Sequence, residues 1–96
     1  GGMGAILVLK MSDRDYAPSQ ISRWIEENDA KILGLLIGYA DQGMLNVNIK
    51  LNTSSVKNIL ATLSRQNINV EQVFMADDYD ENDTKAFDVA FKFLDL

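Results

Sequence analysis

Hydrophobic and polar positions divide the chain into segments of distinct period. Residues 5–11 (AILVLKM) form a short apolar run, with Ile6 and Val8 on one face and Leu7, Leu9 and Met11 on the other. Apolar side chains on both faces mark a central strand. After a polar loop, Pro18 suits the first turn of a helix, where its missing N–H costs nothing. Ile21, Trp24, Ile25 and Asn28 then recur at i, i+3, i+4 and i+7, which predicts a helix over 18–28 with one stripe toward the core. Residues 31–40 (KILGLLIGYA) predict a second strand, with Leu33, Leu35, Ile37 and Tyr39 on one face and Ile32 and Leu36 on the other. Asp41-Gln42-Gly43 predicts a three-residue hairpin loop, with Gly43 at positive φ. Residues 44–51 alternate cleanly: Leu45, Val47, Ile49 and Leu51 face a core, and Met44, Asn46, Asn48 and Lys50 face away from it.

Asn52 or Thr53 is a candidate cap for a second helix, whose stripe is Val56, Ile59, Leu60 and Leu63. Asn67 is a candidate left-handed stop. Residues 68–75 (INVEQVFM) predict a fourth strand whose alternation breaks at Glu71-Gln72. The end of the chain carries two periods. Ala86, Phe87, Ala90, Phe91 and Leu94 align on a helix, and Phe87, Val89, Phe91 and Phe93 align on a strand. The helix is favoured because Asp88 and Lys92 pair at i, i+4 and Asp83 or Thr84 stands before it as a cap. The order strand, helix, strand, strand, helix, strand predicts an α+β, ferredoxin-like βαββαβ antiparallel sheet with two helices on one face, plus a C-terminal helix. Residues 1–4 read as a residual tag or linker, 5–75 as the βαββαβ domain, and 76–96 as an acidic linker and helix of the same domain.

Composition narrows the chemistry. The 96 residues contain no Cys and no His. Thiol nucleophiles, disulfides and zinc clusters are therefore excluded, along with the commonest general base. Nine basic against fourteen acidic residues give a net charge of -5, a balance that disfavours nucleic acid and anionic lipid as partners. The first and third strands also lack the aromatics of an RNA-binding sheet. No apolar run reaches the ~20 residues of a membrane span. The acidic stretch Asp77, Asp78, Asp80, Glu81 and Asp83 fails the EF-hand spacing, since Asp83 stands where the loop needs Gly and Val89 where it needs a bidentate Glu. Acylphosphatases share this strand order, and Arg14 lies in roughly their phosphate loop, but the Gly-rich cradle is missing. The expectation is a chain with no enzyme activity, no metal and no cofactor.

The spacing and order together resemble the ACT domain over residues 5–75. Leu9-Lys10-Met11 leads to Asp13-Arg14-Asp15-Tyr16, where that family has an acidic-basic-Pro-Gly turn before its first helix. Glu27-Asn28-Asp29-Ala30-Lys31-Ile32 resembles its passage into the second strand. Phe87-Asp88, Phe91 and the closing Phe93-Leu94-Asp95-Leu96 resemble the extra helix of ACT-like domains at the C-terminal end of bacterial CBS-domain proteins, those similar to acetoin-utilisation proteins. The resemblance implies a cytoplasmic regulatory domain of a larger CBS-containing protein that binds a small molecule, such as an amino acid, and forms a homodimer. The implied ligand positions are Asp13, Arg14, Tyr16, Ala17 and Lys31. Two of them depart from the family, with Tyr16 in place of a Gly and Lys31 in place of an Asn. A dimerisation domain with a vestigial ligand site is the alternative.

The dimer also has a reading in the residues themselves. In the ferredoxin-like order the second strand lies at an edge of the sheet. Residues 32–39 carry neither charge nor Pro, the usual protection of such an edge. Leu33, Leu35, Ile37 and Tyr39 are the candidate interface.

Overall fold

A computed structural model describes residues 4–75. The elements are β1 (Ile6–Ser12), α1 (Pro18–Glu26), β2 (Ile32–Tyr39), β3 (Met44–Leu51), α2 (Lys57–Arg65) and β4 (Asn69–Phe74). The strands form one sheet in the order β2-β3-β1-β4, with every neighbouring pair antiparallel. This is the α+β, ferredoxin-like arrangement. The predicted terminal helix, with Phe87, Phe91 and Leu94, lies outside the described residues.

The core sits between the helices and one sheet face. Leu7, Leu9 and Met11 of β1 and Leu45, Val47, Ile49 and Leu51 of β3 meet Ile21 and Ile25 of α1 and Ile59 and Leu63 of α2. The alternation in β3 and the helical stripes place these side chains on one surface, and their burial supplies the main drive for folding. One polar link joins the two helices. Asn28 Nδ2 donates to Trp24 O at 2.7 Å and to Thr62 Oγ1 at 3.1 Å, and Arg65 donates to the same hydroxyl at 3.0 Å. The stripe position of Asn28 is thus a half-buried tie between helices, and Thr62, its acceptor, is buried.

Both helices end by the same device. Asp29 (φ 61°) and Asn67 (φ 60°) adopt left-handed conformations. Around them Ala30 N–H reaches Ile25 O at 3.4 Å, and Ile68 N–H reaches Leu63 O at 2.9 Å. These bonds satisfy carbonyls that each helix end leaves open. The helix starts rely on backbone. Ala17 O accepts from Gln20 and Ile21 ahead of α1. The expected cap of α2 is corrected: the helix begins at Lys57 after Val56, with no side-chain cap. Thr53 Oγ1 instead accepts from Ser55 N–H, and Asn52 Oδ1 accepts from Lys31 N–H. The Thr53 oxygen serves a local turn and the Asn52 oxygen the residue ahead of β2, so neither is left to cap the helix.

Two irregularities set which side chains face the core. The pairing of β1 with β4 shifts between Val8 and Leu9, leaving Glu71 between Gln72 and Val70, where the alternation breaks in the sequence. The pairing of β2 with β3 shifts between Ile32 and Gly34, with Leu33 as the extra residue. A bulge reverses the faces upstream of it. Ile32 therefore pairs with Leu51 and packs against the core together with Leu35 and Ile37. This corrects the assignment of Ile32 to the face of Leu36.

At the N-terminus, Gly4 is buried. A Cβ there would overlap the carbonyl oxygen of Leu51. Leu51 N–H donates to Ala5 O, and Ala5 N–H donates to Thr53 O, both at 2.9 Å. Gly4 is thus part of the packed fold.

Candidate functional site

The loop from β1 to α1 carries four of the five implied ligand positions. It is short because β1 ends at Ser12 and Pro18 starts α1. Asp15 N–H bonds to both Ser12 O (3.1 Å) and Ser12 Oγ (3.2 Å), which folds the loop back on itself. Asp13 N–H donates to Gly43 O at 2.9 Å and ties the loop to the β2–β3 turn. That turn holds two left-handed residues, Gly43 (φ 72°), as the hairpin pattern predicts, and Gln42 (φ 64°). Asp13, Arg14 and Ala17 are exposed, and Tyr16 is half-buried against the core. Burial raises the Tyr16 phenol above its ordinary value of 10.0, so it presents a neutral hydroxyl at neutral pH. The loop thus offers two carboxylates, Asp13 and Asp15, on either side of one guanidinium, Arg14, all three at the surface, with the half-buried Tyr16 beside them.

Lys31 stands elsewhere. It precedes β2, with its N–H bonded to Asn52 Oδ1 at 2.8 Å and its carbonyl accepting from Asn52 N–H at 3.1 Å. The loop lies at the other end of β2, beside the turn that follows Tyr39. A strand of eight residues spans roughly 25 Å. Within one chain the structure joins Asp13, Arg14, Tyr16 and Ala17 and leaves Lys31 at the far end of the sheet.

The second candidate surface is β2. It is an edge strand, and no strand among the described residues pairs with its outer side. Leu33 is 56% exposed and Tyr39 is 89% exposed, the large hydrophobics most open to solvent among the described residues. Leu35 and Ile37 are partly buried against the core. The four candidate interface residues therefore divide: Leu33 and Tyr39 project at the two ends of the strand, and Leu35 and Ile37 lie between them on the helix side. The bulge sets Leu33 apart from the other three, which pair with Ile49, Val47 and Leu45, and Gly34 beside it is the residue type that marks such a bulge.

Two open grooves lie away from both surfaces. One, of about 600 Å³, runs from the start of α2 to Met75, and the other, of about 400 Å³, separates α2 from β4. Neither includes a residue named above as a ligand or interface candidate. Among the described residues, no group of three or more acidic side chains comes together to hold a metal, and no helix is long and apolar enough to cross a membrane. Comparison with protein-family models, with curated proteins and with solved structures finds no match to the chain.

Proposed function

We propose that the chain is a non-catalytic regulatory module of the ACT-like type, a homodimerising and small-molecule-sensing part of a larger cytoplasmic, CBS-containing bacterial protein. The observation that carries this reading is the β2 edge. It is uncharged and unpaired among the described residues, and it bears Leu33 and Tyr39 in solvent. Pairing with a second copy, antiparallel about a two-fold axis, satisfies its open backbone groups and covers both side chains.

The same pairing resolves the division of the ligand positions. In an antiparallel two-fold pair the start of one β2 lies beside the end of the other. Lys31 of the second copy then approaches the Asp13–Arg14 loop, which is tied to the turn after Tyr39. A zwitterion such as an amino acid suits this group, its ammonium toward Asp13 and its carboxylate toward Arg14 and the second Lys31. A ligand held by both copies favours one arrangement of the pair, by no more than its difference in affinity between arrangements, and so biases whatever the domains are joined to.

The alternative, a dimerisation domain with a vestigial site, has one observation in its favour: a large side chain, Tyr16, half-buried against the core, stands at the loop position where the resembled family has Gly. Calorimetric titration with a panel of amino acids separates the two. A ligand whose binding weakens at least about tenfold in both Arg14→Ala and Lys31→Ala supports sensing. No heat with any member of the panel, for the wild type and for Tyr16→Gly alike, leaves dimerisation alone.

A further inference from the structure

The sheet face opposite the helices has a composition of its own. Strand pairing orders it in rows: Gly34, Lys50, Ile6 and Phe74; then Leu36, Asn48, Val8 and Gln72; then Gly38, Asn46, Lys10 and Asn69; and last Met44 with Ser12. Apolar side chains run through the first two rows. The four rows together hold two lysines, Lys50 in the first and Lys10 in the third, and the acidic Glu71 stands beside them at the β4 edge, its Oε1 accepting from Asn69 Nδ2 at 3.4 Å. Ile6 is only 3% exposed, yet it lies outside the core cluster beneath the helices. Its burial therefore arises on the face that neither α1 nor α2 covers.

The charge of the chain is divided as sharply. Residues 1–75 hold seven acidic and seven basic side chains, and residues 76–96 hold seven acidic and two basic. The whole net charge of -5 belongs to the last 21 residues. These residues follow directly on β4, whose Phe74 pairs with Ile6 at a corner of the face.

We propose that residues 76–96 fold back over this sheet face, with the acidic stretch from Asp77 to Asp83 against Lys10 and Lys50, and with Phe87, Phe91 and Leu94 over Ile6, Val8 and Leu36. Length permits it. Eight residues from 76 to 83 reach at most about 28 Å, and a helix from 84 to 94 is about 17 Å long. Four strands span only about 15 Å across the sheet. Sign selects this occupant over a second copy of the face, which would set Lys10 and Lys50 against the same two lysines. The apolar spacing of the segment matches the apolar rows, and at Gly38 an added Cβ would meet nothing closer than 4.0 Å, which leaves space beside β2. The proposal is independent of the β2 edge pairing, which uses the rim of the sheet.

The test uses the full chain, which contains no cysteine. A single thiol introduced by Val8→Cys reports access to the face through its rate of alkylation. The thiol is expected to react about tenfold faster when Phe87→Asp and Phe91→Asp are added, while a Ser19→Cys thiol, exposed at the start of α1, keeps its rate. Equal rates at position 8 with and without the two substitutions overturn the proposal. So does a protection with the tail intact that grows with protein concentration, because then a second copy is the cover. Asn48→Cys in the same row replaces Val8→Cys if circular dichroism shows that variant unfolded.

Discussion

A Cβ at Gly4 would overlap the carbonyl oxygen of Leu51, a backbone atom held by its own neighbours in β3. Gly4→Ala is therefore expected to lose about 1–3 kcal/mol, the usual range for forcing added atoms into a packed site. A fall in the urea midpoint at unchanged slope checks it. Gln42 presents the opposite case. It holds φ 64° at an exposed turn with no side-chain bond in the turn to offset the strain. Gln42→Gly is expected to gain up to about 1 kcal/mol, the steric relief being partly offset by a freer unfolded chain. Tyr16 links stability to pH. Its folded-state value is raised by burial above 10.0, so the neutral form is the one the fold favours. That contribution is complete below pH 10 and is lost as pH rises through the raised folded value. The denaturation midpoint should fall over this alkaline range, and Tyr16→Phe should reduce the fall. Much at this scale was open to the sequence: Asn67 as a left-handed stop and Gly43 at positive φ follow from residue type. Asp29, of a type that also tolerates positive φ, fits the same rule, whereas Gln42 carries no such signal and its conformation is imposed by the turn.

At the scale of elements, side-chain period decided most of what could be read. The β3 alternation and the stripes of α1 and α2 each follow one period, and all three face the core as that period requires. The break at Glu71 was legible because alternation surrounds it. The bulge at Leu33 was legible only in part: Gly34 beside it marks either a bulge or a close approach, and since Ile32, Leu33, Leu35, Leu36 and Ile37 are all apolar, any register buries something and the pattern does not choose. The start of α2 was displaced for a related reason: Asn52 and Thr53 are good caps, but their oxygens are used by Lys31 and Ser55. The helix–helix tie through Thr62 makes an element-level prediction. Thr62→Val removes the acceptor shared by Asn28 and Arg65 and should cost about 1–2 kcal/mol. Asn28→Ala should cost less in that background than in the wild type, because the bond to Thr62 is already gone and only the bond to Trp24 O remains to be lost. A double-mutant cycle of denaturation midpoints measures this.

For the whole molecule, the sheet order sets how far apart the proposed site residues lie. Ferredoxin-like topology puts β2 and β4 at the edges and buries β1 and β3 between them. The loop to α1 and the turn after β2 then meet at one end, and Lys31 is left at the other. No reading of the sequence alone revealed that separation, because the resemblance supplied the residues without their distances. In the proposed function dimerisation is the premise of ligand sensing: one chain would hold an incomplete set, and a two-fold pair of β2 edges would hold two complete ones. Leu33→Lys with Tyr39→Lys should then abolish both association and ligand binding, while circular dichroism stays that of the folded chain.

Sedimentation equilibrium of the 96-residue chain at high micromolar concentration tests the pairing directly. The account predicts a species of twice 10.7 kDa, reduced to the single-chain mass by Leu33→Lys with Tyr39→Lys. A folded wild-type chain that remains at 10.7 kDa throughout would contradict it.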